Sequence, residues 1–388
     1  MTKLTNWIII SLLGLVICIP VFSNQLEWKE LLSYDIKNME NIERTASPAF
    51  IANTSGSTYP LQLVYVDFPD VYFVGAYGPG DQRPGAYISI DKLDTVAAIR
   101  DIKIITDSIG YPLVAFMSRT VFSNDLVYVS LSDETNQWQS PQHLLGYSSI
   151  NTLFLCPGDQ IRGILVRNNR SCCCRNFTTG EVKKNLNLEG KICDVLSDKK
   201  YYYASSFIKS QGKEGKYKFG KYNVDWTPCK EFKPIEIDLS FNGAWDRSCS
   251  RFKLDEDSKI IPCVVWCDYK GQEIRAILGG GGQSNSELVC KVDIVNPISL
   301  SVDILWSSDS KISGIPFIAY IDGRVEDSKI LKCAFKRPKD GTWQIDTIVA
   351  TGVQRNSVST VVYKNKVYIA YYCNNKLVIN YADISKLL

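Results

Sequence analysis

The sequence predicts an all-β chain assembled from repeated four-stranded units, and three observations lead there. A short apolar motif ending in an aromatic residue recurs at near-constant spacing. A tryptophan follows several copies of it at a fixed distance. Helical periodicity is almost absent, and only Glu40 to Ser47 could form a turn or two of helix.

The motif is clearest in Pro112-Leu-Val-Ala-Phe116, Pro262-Cys-Val-Val-Trp266 and Pro316-Phe-Ile-Ala-Tyr320. Val367-Tyr-Ile-Ala-Tyr371 repeats it without the proline, and Pro60-Leu-Gln-Leu-Val-Tyr65 repeats it with one residue inserted. The aromatic positions step by 51 from Tyr65 to Phe116, by 54 from Trp266 to Tyr320 and by 51 to Tyr371. The gap of 150 residues between Phe116 and Trp266 holds two weaker copies, Ile164-Leu-Val166 and Tyr201-Tyr-Tyr203, which makes seven. Trp138, Trp226 and Trp343 follow Phe116, Tyr203 and Tyr320 by 22, 23 and 23 residues, each expected to open a short segment.

Within the second repeat four strands are expected: Asp101 to Thr106, Pro112 to Met117, Asp125 to Ser130 and Trp138 to Leu145. They are short, rich in β-branched and aromatic residues, and separated by Asp, Asn, Ser and Gly turns. Four strands per repeat, seven times over, predict a seven-bladed β-propeller occupying residues 24–388 as one domain. The last repeat ends before its tryptophan, and the missing piece stands at the other end as Trp28-Lys-Glu-Leu-Leu-Ser-Tyr34. An N-terminal strand closing the last blade is therefore expected, and it removes an edge that invites aggregation.

Composition bounds the function. The 388 residues include 45% hydrophobic and 22% charged side chains with a formal net charge of +3, so no excess of charge suits a polyanion and no nucleic-acid partner is expected. Met1-Thr-Lys3, an apolar run from Trp7 to Val21 broken only by Ser11, and Ser23 read as a signal peptide over residues 1–23. The run is shorter than the roughly 20 residues of a spanning helix, so the mature chain is expected to be secreted, monomeric and without a membrane span. Cys18 lies inside this leader behind Ile17, a poor fit to a lipobox. Twelve cysteines remain in the mature chain, an even number that suggests at least three disulfides. Sequons stand at Asn53, Asn169 and Asn176. No paired Cys-x-x-Cys spacing occurs and His143 is the single histidine, so neither a metal nor a cofactor is expected.

On these residues the chain resembles the β-propeller superfamily, and in particular the sialidase-like and Asp-box propellers. Asp133 and Trp138 keep the mutual spacing of an Asp-box, but Leu131 stands for its serine and Thr135 for its glycine. Asp340-Gly-Thr-Trp343 has the same flavour at another spacing. The resemblance implies a ligand-bearing face formed by the loops between strands two and three and between successive blades. Arg119, Asp268, Glu273, Asp322 and Arg324 fall in those loops and are the candidate ligand-binding residues. Asp67, Asp268 and Asp322 each stand two residues after the blade aromatic. A ring of carboxylates there would grip sugar hydroxyls or a cation, whereas the same aspartates would also suit turn capping. A sialidase would need an Arg-Ile-Pro motif near the start, and Arg83-Pro84 lacks the isoleucine. The expected function is a binding module for a glycan, peptide or protein. The alternatives are a sialidase-like glycoside hydrolase or lyase, and a structural surface protein. Tryptophans 138, 226 and 343 are expected to pack between blades, leaving Trp245 and Trp306 as freer pocket candidates.

Overall fold

The structure is a computed structural model. It describes residues 7–12, 15–20, 26–37, 47–52, 59–67, 70–76, 87–92, 98–106, 111–119, 124–130, 138–139, 142–144, 150–156, 162–167, 171–176, 179–184, 186, 188–198, 200–209, 214–240, 248–254, 257–268, 272–279, 286–292, 299–306, 313–323, 329–354, 358–385 and 387. Side chains of Trp7–Leu12, Leu15–Pro20, Tyr87–Lys92, Asn124–Ser130 and the third sheet below, except Asn176, and of some strand ends, Arg119 among them, lie outside that description.

All the regular structure among these residues is β-strand. Seven four-stranded antiparallel sheets follow one another along the chain. Sheet one holds Ala49–Ala52, Leu61–Asp67, Asp70–Ala76 and Tyr87–Lys92. Sheet two holds Ala98–Thr106, Pro112–Arg119, Asn124–Ser130 and Gln142–Leu144. Sheet three holds Ile150–Cys156, Arg162–Arg167, Ser171–Asn176 and Val182–Lys184. Sheet four holds Lys191–Ser197, Tyr202–Lys209, Glu214–Tyr222 and Ile235–Ser240. Sheet five holds Ser248–Leu254, Ile260–Asp268, Glu273–Leu278 and Glu287–Lys291. Sheet six holds Leu300–Trp306, Ser313–Asp322, Ile330–Lys336 and Trp343–Val349. Sheet seven holds Ser359–Tyr363, Lys366–Cys373 and Lys376–Asp383, with Trp28–Asp35 as its fourth strand. That strand pairs with Lys376–Asp383 from Trp28↔Ala382 to Asp35↔Lys376, with one bulge. Residues Trp7–Leu12 and Leu15–Pro20 pair with each other as a separate hairpin. No helix among the described residues is long and apolar enough to cross a membrane.

The first strands of successive sheets neighbour one another in order, and the seventh, Ser359–Tyr363, neighbours the first, Ala49–Ala52. The first strands therefore lie on the inside and the fourth strands outside, a β-propeller arrangement. Burial explains why the second strands carry the sequence motif. A strand in mid-sheet with a sheet packed on either side must be apolar on both faces, so it reads as an unbroken apolar run. Leu61–Asp67 is buried at all seven positions, and Ile260–Asp268 at seven of nine. The outer strands are mostly half-buried or exposed instead, and Asp346 is the one buried position of Trp343–Val349.

The cores lie between adjacent sheets. Val64 and Phe73 of sheet one meet Ile102 and Phe116 of sheet two. Phe207 and Phe219 of sheet four meet Phe252 and Trp266 of sheet five. Val265 and Ile274 of sheet five meet Ile318 and Tyr320 of sheet six. Phe317 and Phe335 of sheet six meet Val367 and Ile369 of sheet seven. Leu63 and Tyr65 of sheet one meet Tyr368 and Tyr372 of sheet seven. Each such buried large side chain contributes about 1.5–3 kcal/mol.

Tyr65, Phe116, Trp266, Tyr320 and Tyr371 all lie on second strands, as do Val166 and Tyr203. In sheet four the phase differs. Trp266 pairs with Ser248 and Tyr320 with Leu300, each the first residue of its first strand. Tyr203 pairs with Leu196, near the far end of that strand, and it is Phe207 that pairs with Lys191 at its start. Phe207 therefore occupies the place of Trp266, and the Tyr201-Tyr-Tyr203 copy is out of phase by four residues. Trp226 does not open a strand either. It sits in a turn, with its N–H bonded to Asn223 O and φ at 64°. Glu40 to Ala46, most of the segment expected to form a helical turn, lies outside the described residues.

No disulfide joins the described cysteines, which include eight of the twelve expected in the mature chain. Cys156, Cys172, Cys173 and Cys174 have side chains outside the description. The reason is placement. Cys263 and Cys333 are core residues of mid-sheet strands, packed among apolar neighbours. Asn176 is also placed against expectation: only 5% exposed, it accepts the Thr179 N–H at 3.1 Å, a poor setting for a glycan. Asn53 and Asn169 lie outside the described residues.

Candidate functional site: the sheet ends and the inner edge

The ends of the second strands and the starts of the first and third strands share one end of every sheet. The aspartates two residues after the blade aromatic stand there, each engaged differently. Asp67 is buried, and both its oxygens accept the backbone N–H of Lys37, at 3.2 and 3.1 Å, just after the Trp28–Asp35 strand. Asp322 is also buried, and its Oδ2 accepts Lys332 Nζ at 2.6 Å. Beside this pair the Cys290 thiol donates to the Tyr320 hydroxyl at 3.3 Å. Burial pushes both of those groups above their ordinary pKa, which keeps them protonated.

Sheet five offers the more open arrangement. Asp268, half-buried, lies directly opposite Glu273 in the antiparallel register. Directly paired residues point to the same face, and Glu273 Oε2 accepts Arg275 NH1 at 2.8 Å. Arg275 NH2 reaches Ser286 Oγ at 3.2 Å. Two acids and a guanidinium therefore stand together at this sheet end, with Trp266 opposite Arg275 further along the register. Arg119, expected in the loop after the second strand, is instead the last residue of that strand, paired with Asn124, and its side chain lies outside the description; Arg324 lies outside the described residues altogether.

The tryptophans pack. Trp138 of sheet two meets Phe73 of sheet one edge-on at 5.2 Å. Trp343 of sheet six donates Nε1 to Glu287 Oε2 of sheet five at 2.9 Å. Trp226 stacks on Tyr202 of its own sheet at 4.4 Å and 3°. Trp245 and the side chain of Trp306 lie outside the description.

A second constellation was not expected. On the first strands, Asp194 of sheet four, Arg251 of sheet five and Asp303 of sheet six hold equivalent places, each three residues past the position paired with Phe207, Trp266 or Tyr320. Arg251 NH1 donates to Asp194 Oδ1 at 2.9 Å. Lys253 Nζ lies 3.0 Å from Asp303 Oδ1. Asp303 Oδ2 accepts the Val362 N–H of sheet seven at 2.8 Å, and Ser301 Oγ accepts the Thr360 N–H at 3.0 Å. A polar belt thus joins the inner edges of sheets four to seven. Burial raises the Asp194 carboxyl above its ordinary pKa, against the opposing pull of Arg251 and Lys253. Asp194 in turn holds the Arg251 guanidinium above its ordinary value, with Asp303 adding to the effect. The sequence carries one signal for the belt: single charges set among core residues, as in Ile192-Cys-Asp194-Val195 and Val302-Asp303-Ile304. A buried polar residue is the informative departure from pattern.

No known family model matches the chain, and no curated protein matches it significantly. Among solved structures it is similar to AofleA from Arthrobotrys oligospora, at 11% identity and a TM-score of 0.49, over 84% of this chain and 90% of that one. It is also similar to the N-terminal domain of Nup159, at 10% identity and a TM-score of 0.48, over 93% of this chain and 96% of that one.

Proposed function

We infer that this chain is an exported binding module, a closed seven-bladed propeller presenting a polar mouth to a glycan, peptide or protein. Closure is supported by the pairing of Trp28–Asp35 with Lys376–Asp383 and by the core shared between sheets seven and one. Export rests on the leader alone, since the described thiols give no disulfide argument for an oxidising compartment. The observation that carries the binding reading is the Asp268, Glu273 and Arg275 group at the end of sheet five. Acids and a guanidinium on a rigid strand end offer charge-assisted hydrogen bonds to a polar ligand such as a sugar. Asp322, Arg119 and Arg324 belong to the same proposed rim.

The test is a glycan array on the purified protein, followed by titration of the best binder against Asp268→Ala and Glu273→Gln. Weakening on the order of tenfold, the worth of a charged hydrogen bond, with unchanged melting supports the rim. Wild-type affinity in both variants moves the site elsewhere. Mass spectrometry of the bound glycan completes the experiment: a cleaved product replaces the binding reading with the hydrolase.

A further inference from the structure

We propose that the inner edge of sheets four to six is a binding subsite for an oxyanion, a carboxylate or phosphate group, held by Arg251 and Lys253. The proposal goes beyond the rim and uses none of its residues.

Arg251 and Lys253 stand two residues apart on the Ser248–Leu254 strand and so share a face, about 7 Å apart along the chain. Their charges couple to both neighbouring sheets at once. Arg251 is bonded to Asp194 of sheet four and also feels Asp303 of sheet six. Lys253 pairs with Asp303 and also acts on Asp194. Sheet five lies between sheets four and six, so its side chains meet charges from both only along the inner edge.

The exposures are unequal. The Arg251 and Lys253 side chains are 38% and 34% accessible, and those of Asp194 and Asp303 are 8% and 7%. The acids lie beneath and the cations face solvent. Sheet two repeats the pattern on its own first strand, where Lys103 at 36% covers Asp101 at 18%, 2.7 Å away.

The cations have donors to spare. A guanidinium carries five N–H groups and an ammonium three. Among the described residues, Arg251 spends one nitrogen on Asp194 and Lys253 has a single carboxylate partner. Asp194 holds the guanidinium through Oδ1, and its buried Oδ2 has no partner among them. A planar fork and a point charge, both pinned from below, fit an oxyanion better than a neutral sugar.

Citrate and inorganic phosphate, each titrated by calorimetry into the full mature chain in a buffer free of other oxyanions, test this. Saturable binding of at least one is expected, and which of them binds more tightly tells a carboxylate from a phosphate ligand. Arg251→Gln risks the fold by stranding Asp194, so Lys253→Gln is the first variant, because Asp303 keeps its Val362 N–H. It should bind on the order of tenfold more weakly. Asp194→Asn removes the competing acid and should bind several-fold more tightly, which a purely structural belt would not produce. Asp268→Ala should bind as wild type, separating this subsite from the rim. Failure of both anions to saturate the wild type, or wild-type affinity in both Lys253→Gln and Asp194→Asn, overturns the proposal.

Discussion

Among single residues, the aspartates after the blade aromatics are not interchangeable. Asp322 is buried against Lys332, so Asp322→Ala strands an ammonium and is expected to cost about 1–2 kcal/mol, reduced from a fully buried pair because Lys332 is partly exposed. Asp268→Ala removes a half-buried carboxylate at a strand end and is expected to cost less than Asp322→Ala. Urea denaturation of the two variants side by side checks this, and equal midpoints would mean that the Lys332 pair contributes nothing. Asp194 makes a pH statement. Its pKa is raised in the fold, so the folded state holds that proton more tightly than the unfolded chain. Its charged form therefore penalises the fold at neutral pH, and the penalty is relieved as pH falls through the folded pKa toward its ordinary value. The melting temperature of the wild type should accordingly rise relative to Asp194→Asn on acidification, and a pH-independent difference would show that Asp194 does not titrate.

Among the strands, the N-terminal one has the most to lose. Trp28–Asp35 covers the Lys376–Asp383 edge, and Leu26, just before it, donates its N–H to Asp346 Oδ2 of sheet six at 2.8 Å. Deleting residues 24–36 bares a strand edge and takes the Leu26 N–H from Asp346, and an uncovered edge recruits other chains. The truncated protein is expected to aggregate in size-exclusion chromatography. A monodisperse truncation with unchanged melting would show that the strand is dispensable.

Across the molecule as a whole, the cores between sheets should make the thiols report on global unfolding. Burial pushes Cys193 and Cys249 up to about 12, and Cys263 and Cys333 higher still. The reactive form is the thiolate, so these groups should resist alkylation at neutral pH until the sheets part. Labelling followed by mass spectrometry across a denaturant series should place their modification in one transition. Full labelling of Cys263 or Cys333 in the native protein would contradict the packing between sheets five, six and seven.

The β class and the place of the second strands are legible in the chain because each is written in a local pattern. A mid-sheet strand buried on both faces must be apolar throughout, and so Pro262 to Trp266 and Pro316 to Tyr320 announce themselves. Register is less legible. Three consecutive tyrosines at 201–203 imitate the motif, and pairing with Lys191 is what identifies Phe207 as the true counterpart of Trp266. The acids of the rim are legible as residues but not as partners, since Asp322 finds Lys332 across a strand pair. The inner belt exists only in three dimensions. Asp194 and Arg251 are 57 residues apart, and no spacing rule relates them or Asp303. They meet because neighbouring sheets converge at their first strands, where a charge excluded from the cores on either side can reach only its counterparts along the inner edge.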